Sequence, residues 1–250
     1  PQKSVRAEED VDSLVKDLDE NLKDDLARDV IRRNLVLKLI DKRLKLNEDG
    51  SGRYHKECAI HDILFPRGNY SDEIEPDAFN LWVIDERFMF HSFAASDIPL
   101  REYVDGSDDS GRPDITIAFT REYKRQVESI CIVELKRPMR DDGSSAVRQI
   151  HDYVKKIRSG KALKEGGRRF NITDRTRFYC YIICDLTEGM RDDAESRNMQ
   201  RTLSGEGYYQ YNNNINAYIM MMSYDELLSE AMINNFNELN RLGLAGPGDL

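Results

Sequence analysis

Two neighbouring stretches decide the fold: RPDITIAF, residues 112–119, and ESICIVELKRP, residues 128–138. Each contains a run of apolar, largely β-branched residues bounded by charges, which predicts a strand. We expect strands over 113–120 and 128–136 to form an antiparallel hairpin around Lys124, with the second strand central in a sheet. Pairing about Lys124 joins residues whose numbers sum to 248. This register places Asp114 opposite Glu134.

Charged side chains gather where these strands end. Side chains alternate along a strand, so Glu134 and Lys136 share a face. Two adjacent carboxylates repel each other unless a cation lies between them, and Mg²⁺ prefers one or two carboxylates plus waters and phosphate oxygens. Such a metal could activate a water near a phosphodiester while Lys136 orients it. The alternative is that Lys136 only neutralises a structural carboxylate.

The motif Pro113-Asp114 followed by Glu134-Leu135-Lys136 resembles that of the PD-(D/E)xK nuclease superfamily. The resemblance implies that Asp114 and Glu134 bind Mg²⁺ or Mn²⁺ and that Lys136 assists the attacking water. It also implies an α/β fold: a restriction-endonuclease-like mixed β-sheet core flanked by helices.

Two further elements extend the resemblance to about residues 54–186. Gln149 and Tyr153, in QIHDY, match the QxxxY element of RecB-like members and share one helix face. Glu57 and His61 form an E-x-x-x-H pair that is similar to the opening of Shedu-type nuclease domains. The resemblance makes Glu57 a further metal ligand, and Gln149 and Tyr153 residues that position the surroundings of the metal or the phosphate backbone.

A basic segment follows the motif. Residues 136–169 carry eleven Lys and Arg against four Asp and Glu, whereas the whole chain has a net charge of −9. This segment could therefore face the phosphates of DNA, although a solvated helix face is the alternative. The candidate nucleic-acid-binding residues are Arg137, Arg148, Lys155, Lys156 and Arg158.

The remaining patterns outline one sheet domain, residues 51–250, behind a helical arm or linker, residues 1–50. Helical spacing of apolar residues runs from Val11 to Leu46. The other predicted helices cover 53–64, 144–160 and 223–242, where Ser223 and Glu226 form a capping box. Further strands are predicted over 81–90, 177–186 and 217–222, and residues 187–214 are predicted to be a long loop with a short helix.

The composition narrows the class of protein. With 40% hydrophobic residues and no long apolar stretch, the chain predicts neither a membrane span nor an export signal, and we expect a cytoplasmic protein. The four cysteines lack C-x-x-C spacing and are expected to be free thiols. The helical arm favours a homo-oligomer.

A looser resemblance concerns the stretch NLWVIDERFMFHSFAASDIPL, residues 80–100, and the segments SYDELL and LNRLGL. These are similar to the C-terminal part of bacterial proteins with an upstream chaperone-like (GHKL) ATPase domain. The start at Pro1 fits a piece of such a longer protein. The resemblance implies an ATPase partner and a role in antiviral defence against foreign DNA. A non-catalytic module of the same fold that binds nucleic acid or a partner remains the alternative.

Overall fold

The computed structural model describes residues 20–46, 54–121, 126–141, 146–165 and 167–243. The chain divides into two compact units. A helical unit contains residues 20–38 and 231–243, and a sheet unit contains Leu39–Glu230. The boundary predicted near residue 50 lies outside the described residues.

The described residues contain six α-helices and ten strands, together with three 3₁₀ helices at Pro76–Ala78, Leu81–Val83 and Glu86–Phe90. The helices are α1 (Glu20–Leu44), α2 (Cys58–Leu64), α3 (Leu100–Tyr103), α4 (Ala146–Ser159), α5 (Glu188–Ser196) and α6 (Tyr224–Arg241). The strands are β1 (Asn69–Tyr70), β2 (Phe93–Ser96), β3 (Ile115–Arg121), β4 (Gln126–Leu135), β5 (Ala162–Glu165), β6 (Arg168–Asn171), β7 (Arg177–Cys184), β8 (Gln200–Arg201), β9 (Gly207–Asn212) and β10 (Ala217–Ser223).

All ten strands belong to one mixed sheet, so the predicted α/β class is confirmed. The main order is β1-β2-β3-β4-β7-β10-β9-β8, and the β5–β6 hairpin joins through β6 and β4. Strands β1 to β4 form an antiparallel meander, whereas β4, β7 and β10 are mutually parallel. Helix α4 provides the long connection that a parallel β4–β7 pair requires.

The predicted hairpin register is confirmed. The pairs run from Ile115 with Val133 to Phe119 with Ser129, and each sums to 248. An irregularity after Phe119 then shifts the pairing by one residue. The predicted turn around Lys124 lies outside the described residues.

Helix α4 packs on one face of this sheet. Its apolar stripe, Val147, Ile150, Val154 and Ile157, is fully buried against residues of β4 and β7. Complete burial of such a side chain stabilises a fold by about 1.5–3 kcal/mol. Gly160 follows the helix at a close approach, since a Cβ there would lie 2.1 Å from Cγ1 of Val104.

Several predicted elements differ from the structure. The strand predicted over 81–90 is wrong: 3₁₀ helices cover Leu81–Val83 and Glu86–Phe90. Asp85 explains the second of these, because its carboxylate accepts the backbone N–H of Arg87 at 2.9 Å and so caps a helical turn. The predicted loop over 187–214 also contains β8 and β9, and the helix predicted from residue 53 begins at Cys58.

The helical arm is described only from Glu20 onward, where α1 confirms the predicted helix, although Leu26 and Leu35, two of the apolar residues in its predicted pattern, are exposed. Val30 and Leu37 are buried on it. The part predicted from Val11 lies outside the described residues. None of the described helices is both long and apolar enough to cross a membrane.

Candidate active site

Asp114 lies immediately before β3, at the end of the β3–β4 pair. The backbone N–H of Leu135 donates a 2.6 Å hydrogen bond to its Oδ2. Continuing the register by one pair places Asp114 opposite Glu134, as predicted. The hairpin therefore brings the two carboxylates to the same sheet edge.

Glu134 is a buried acid with only one of its oxygens satisfied. The residue is 5% exposed, and its Oε1 accepts a 3.0 Å hydrogen bond from Lys136 Nζ. Its Oε2 is buried and has no hydrogen-bond partner in the described part of the chain. An unpaired buried carboxylate oxygen is costly, so this oxygen has room for a further partner such as a cation or a water.

Lys136 is held by a chain of hydrogen bonds that leads into α4. Its Nζ donates to Gln149 Oε1 at 3.0 Å as well as to Glu134. Gln149 Nε2 donates to the hydroxyl of Tyr153 at 3.0 Å, and that hydroxyl donates to the carbonyl of Arg112 at 2.8 Å. Every member has its partner, so the position of the ammonium group is fixed from two sides.

The electrostatics of the two acids favour protonation while no cation is bound. Burial raises the pKa of Asp114 to about 8, and the charge of Glu134 adds to the effect. Burial also raises the pKa of Glu134, and the ammonium group of Lys136 opposes this rise. A divalent cation would displace protons from these carboxylates, because metal ligands bind in their deprotonated form.

His61 lies behind Asp114 as a buried neutral residue. Its Nδ1 is 3.8 Å from Asp114 Oδ1, and its Nε2 is 2.9 Å from the hydroxyl of Ser96. That hydroxyl donates to the carbonyl of Phe65. Burial lowers the pKa of His61 to about 4. The E-x-x-x-H pair thus places its histidine against the first carboxylate of the motif.

Glu57 immediately precedes α2, one turn before His61, and lines an open cleft of about 480 Å³. The other lining residues are Tyr54, Lys56, Arg137, Pro138, Met139 and Arg140. Arg137 donates to the carbonyl of Tyr54 at 2.8 Å, which joins the end of the motif to the segment before α2. The structure therefore gives Glu57 a position in a largely cationic cleft beside the motif.

The other predicted nucleic-acid-binding residues have different environments. Arg148 and Lys155 are exposed on α4. Lys156 forms a 2.8 Å ion pair with Asp109. Arg158 is engaged inside the fold: it donates to the carbonyls of Thr176 and Ile215 and lies over the ring of Phe178. These contacts favour a structural role for Arg158 over its predicted contact with phosphate.

Sequence reasoning missed two residues that hold the backbone of the segment after β4, Lys136–Met139. Tyr224, at the start of α6, is fully buried and donates a 2.6 Å hydrogen bond to the carbonyl of Lys136. Asp185 follows β7 and accepts the backbone N–H of Met139 at 2.6 Å. The sequence offered one signal for Asp185, since a charged residue at the end of an apolar strand often belongs to a site. It offered no such signal for Tyr224.

The site offers a metal ion only two protein carboxylates, those of Asp114 and Glu134. Within the described ranges, no three His, Cys, Asp or Glu side chains come together as a metal-binding group. Mg²⁺ often uses only one or two protein carboxylates and takes its other ligands from water and phosphate.

Comparison of this chain with known protein families, curated proteins and solved structures found no match.

Proposed function

We propose that this chain is a metal-dependent nuclease of the PD-(D/E)xK type that hydrolyses phosphodiester bonds of DNA. The observation that carries the proposal is the pairing of Asp114 with Glu134 across the hairpin, with Lys136 fixed beside them. The order of α2, an antiparallel meander, α4 and the parallel strand β7 supports a restriction-endonuclease-like core.

The two carboxylates fit a hard divalent cation. Oxygens available to Mg²⁺ or Mn²⁺ are Oε2 of Glu134, which has no partner among the described residues, and Oδ1 of Asp114. When bound, such a cation would lower the pKa of a water and offset charge on the phosphate. Glu57 is proposed to assist from the neighbouring cleft, through water.

The residues of the chain then have separate roles. The ammonium group of Lys136 lies next to Glu134. There it can orient the attacking water and offset the negative charge that develops at phosphorus. Gln149 and Tyr153 act through Lys136 and are positioning residues, because their hydrogen bonds lead to its Nζ. His61 limits the movement of Asp114 from the opposite side.

The basic side chains around the motif are proposed to hold the phosphates that flank the scissile bond. Arg148 and Lys155 approach from α4, and Arg137, Lys56 and Arg140 approach from the cleft at Glu57. The rest of the chain is acidic, so nonspecific binding should be weak and should fall steeply with salt. The looser resemblance to ATPase-associated proteins supports an ATPase partner and a role in antiviral defence.

Cleavage of supercoiled, linear and single-stranded DNA in Mg²⁺, Mn²⁺ or EDTA tests this proposal. The variant Glu134→Gln keeps the size of the side chain and removes its charge. Glu102→Gln is a matched control, because Glu102 is exposed on α3. We expect metal-dependent cutting by the wild type and the control, and none by Glu134→Gln. Equal cutting by all three proteins would refute the assigned site, and a folded wild type that cuts nothing would favour the binding module.

A further inference from the structure

The sheet face opposite α4 carries a row of tyrosines. On β7, Phe178 and Cys180 belong to the core beneath α4, so the alternating Tyr179 and Tyr181 point to the other face. The register with β10 and β9 adds more rings to the same face. Together these residues form the tyrosine face: Tyr179, Tyr181, Tyr209, Tyr211 and Tyr218. All five are partly or fully exposed.

Two adjacent clefts open on this face. The first has a volume of about 210 Å³, and its aromatic walls are Phe88, Phe119, Tyr179 and Tyr181. The second, of about 310 Å³, is lined by Tyr179, Tyr211, Tyr218 and Asn216. Arg177 and Tyr179 line both clefts. A single guanidinium group therefore lies between two aromatic sites.

The rings are held in place before any ligand binds. Phe88 contacts Tyr181 edge to face, with ring centroids 5.7 Å apart. Tyr209 and Tyr218 stack at 6.1 Å, and the hydroxyl of Tyr211 donates to Asn216 Oδ1 at 2.7 Å. Such preorganisation reduces the entropy that binding would cost.

Arg177 is the cation of this surface. It is exposed, and it forms neither an ion pair nor a hydrogen bond through its side chain with any residue in the described ranges. Arg87, at the rim of the first cleft, differs because Asp85 binds it through several hydrogen bonds. The guanidinium of Arg177 is thus available to an anionic ligand.

We propose that the tyrosine face binds single-stranded nucleic acid, with successive bases in the two clefts and the phosphate between them on Arg177. Bases stack on aromatic side chains whatever their sequence, and arginine contributes both charge and cation–π attraction. The clefts lie on either side of β7, so their separation is of the order of one to two strand spacings, roughly 5–10 Å. A duplex hides its bases and cannot fill such clefts.

This surface is separate from the proposed catalytic residues. Lys136 reaches Gln149 of α4, whereas the tyrosines lie on the sheet face turned away from α4. Binding can therefore be measured in EDTA, where metal-dependent cleavage does not occur. If the chain proves not to be a nuclease, its binding of single-stranded nucleic acid in EDTA would be unaffected. If the tyrosine face binds no nucleic acid, the proposed cleavage would likewise be unaffected.

Fluorescence anisotropy of a labelled oligothymidine tests the inference, with a duplex of equal length as competitor. We expect Tyr179→Leu and Tyr218→Leu to weaken binding at least about fivefold, because each removes a stacking ring. Tyr179→Phe keeps the ring and should bind like the wild type. Arg177→Gln should weaken binding and reduce the salt slope by about 0.7. Arg101→Gln removes the same charge at an exposed position of α3 and should have no effect.

Three results would overturn the inference: no binding of the oligothymidine by the wild type, unchanged binding in the Leu and Gln variants, or a preference for the duplex. Thermal unfolding of each variant excludes a simple loss of folded protein. Sedimentation velocity is the second readout. If the Leu variants change the oligomeric state and leave nucleic-acid binding unaltered, the tyrosine face is a protein interface and the inference is wrong.

Discussion

The backbone N–H of Leu135 donates a 2.6 Å hydrogen bond to Oδ2 of Asp114 across the end of the β3–β4 pair. Because Leu135 directly follows Glu134, one peptide unit links the positions of the two carboxylates. The other oxygen of Asp114, Oδ1, lies 3.8 Å from Nδ1 of His61. The geometry of the candidate site therefore depends on the hairpin register and on the backbone, and not only on side-chain conformation.

The protonation of Asp114 predicts how stability depends on pH. Its pKa is raised to about 8 in the folded protein, so the folded state holds a proton that the unfolded chain releases near pH 3.8. This stabilisation is complete at low pH and is lost as the pH rises through 8. His61 has the opposite effect between pH 4 and 6.5, because burial lowers its pKa. The window from pH 6.5 to 8 therefore avoids His61 and reports the titration of Asp114 together with the neighbouring Glu134, whose pKa is also raised.

Urea unfolding in EDTA across that window measures the effect. We expect the free energy of unfolding of the wild type to fall with pH, with a slope of up to about 1.4 kcal/mol per pH unit. Asp114→Asn, which cannot ionise at this position, should remove most of the slope. An equal slope in both proteins would show that another group titrates there.

Divalent cations should stabilise the wild type through the same carboxylates. At a concentration about 100 times the dissociation constant, a ligand that binds only the folded state adds about 2.7 kcal/mol. We expect thermal unfolding with Mn²⁺ to show this gain for the wild type and for Glu102→Gln, and to show none for Glu134→Gln. The gain should shrink at acidic pH, because protons compete for the carboxylates. A gain retained by Glu134→Gln would place the cation elsewhere.

The hairpin was predictable because local patterns and long-range pairing agree there. Strand 128–136 is apolar on both faces, and its short connection to the preceding strand leaves few registers, so the placement of Asp114 opposite Glu134 followed from the sequence. The spacing of Gln149 and Tyr153 likewise predicted a shared helix face, and their hydrogen bond lies on it.

Other features depend on contacts that the sequence does not display. Residues 81–90 have the hydrophobicity of a strand, but the carboxylate of Asp85 caps a 3₁₀ turn instead. The role of Arg158 depends on carbonyls from residues 176 and 215, far along the chain. The tyrosine face requires the alignment of β7, β10 and β9, and only the folded sheet reveals it.

Tyr153→Phe tests the chain of hydrogen bonds behind Lys136. The change leaves the carbonyl of Arg112 without its donor and Gln149 Nε2 without its acceptor. Tyr153 is only 6% exposed, so the loss should cost about 1–3 kcal/mol of unfolding free energy. Tyr211→Phe removes a hydroxyl at an exposed ring and should change stability by less than about 0.5 kcal/mol. Equal effects in urea unfolding would mean that the buried hydroxyl has no special role.

Lys155 and Arg158 lie three residues apart on α4, and their contacts predict opposite consequences of losing one charge. Lys155 is exposed, so Lys155→Gln should leave stability within about 0.5 kcal/mol and weaken DNA binding, with a salt slope lower by about 0.9. Arg158→Gln removes the donors to Thr176 and Ile215 and the contact with Phe178. It should lower the free energy of unfolding by about 1–3 kcal/mol and leave the salt slope unchanged.

Urea unfolding and DNA binding at several salt concentrations, measured on both variants, check this pair. Metal is replaced by EDTA so that cleavage does not affect the binding curves. A lowered salt slope in Arg158→Gln would return that residue to the phosphate-binding set, because a guanidinium group that stays on the carbonyls of Thr176 and Ile215 releases no counterions on binding DNA. An unchanged salt slope in Lys155→Gln would instead show that Lys155, on the exposed side of α4, does not contact DNA. The basic residues of the cleft beside Glu57 would then be the remaining candidates for phosphate binding.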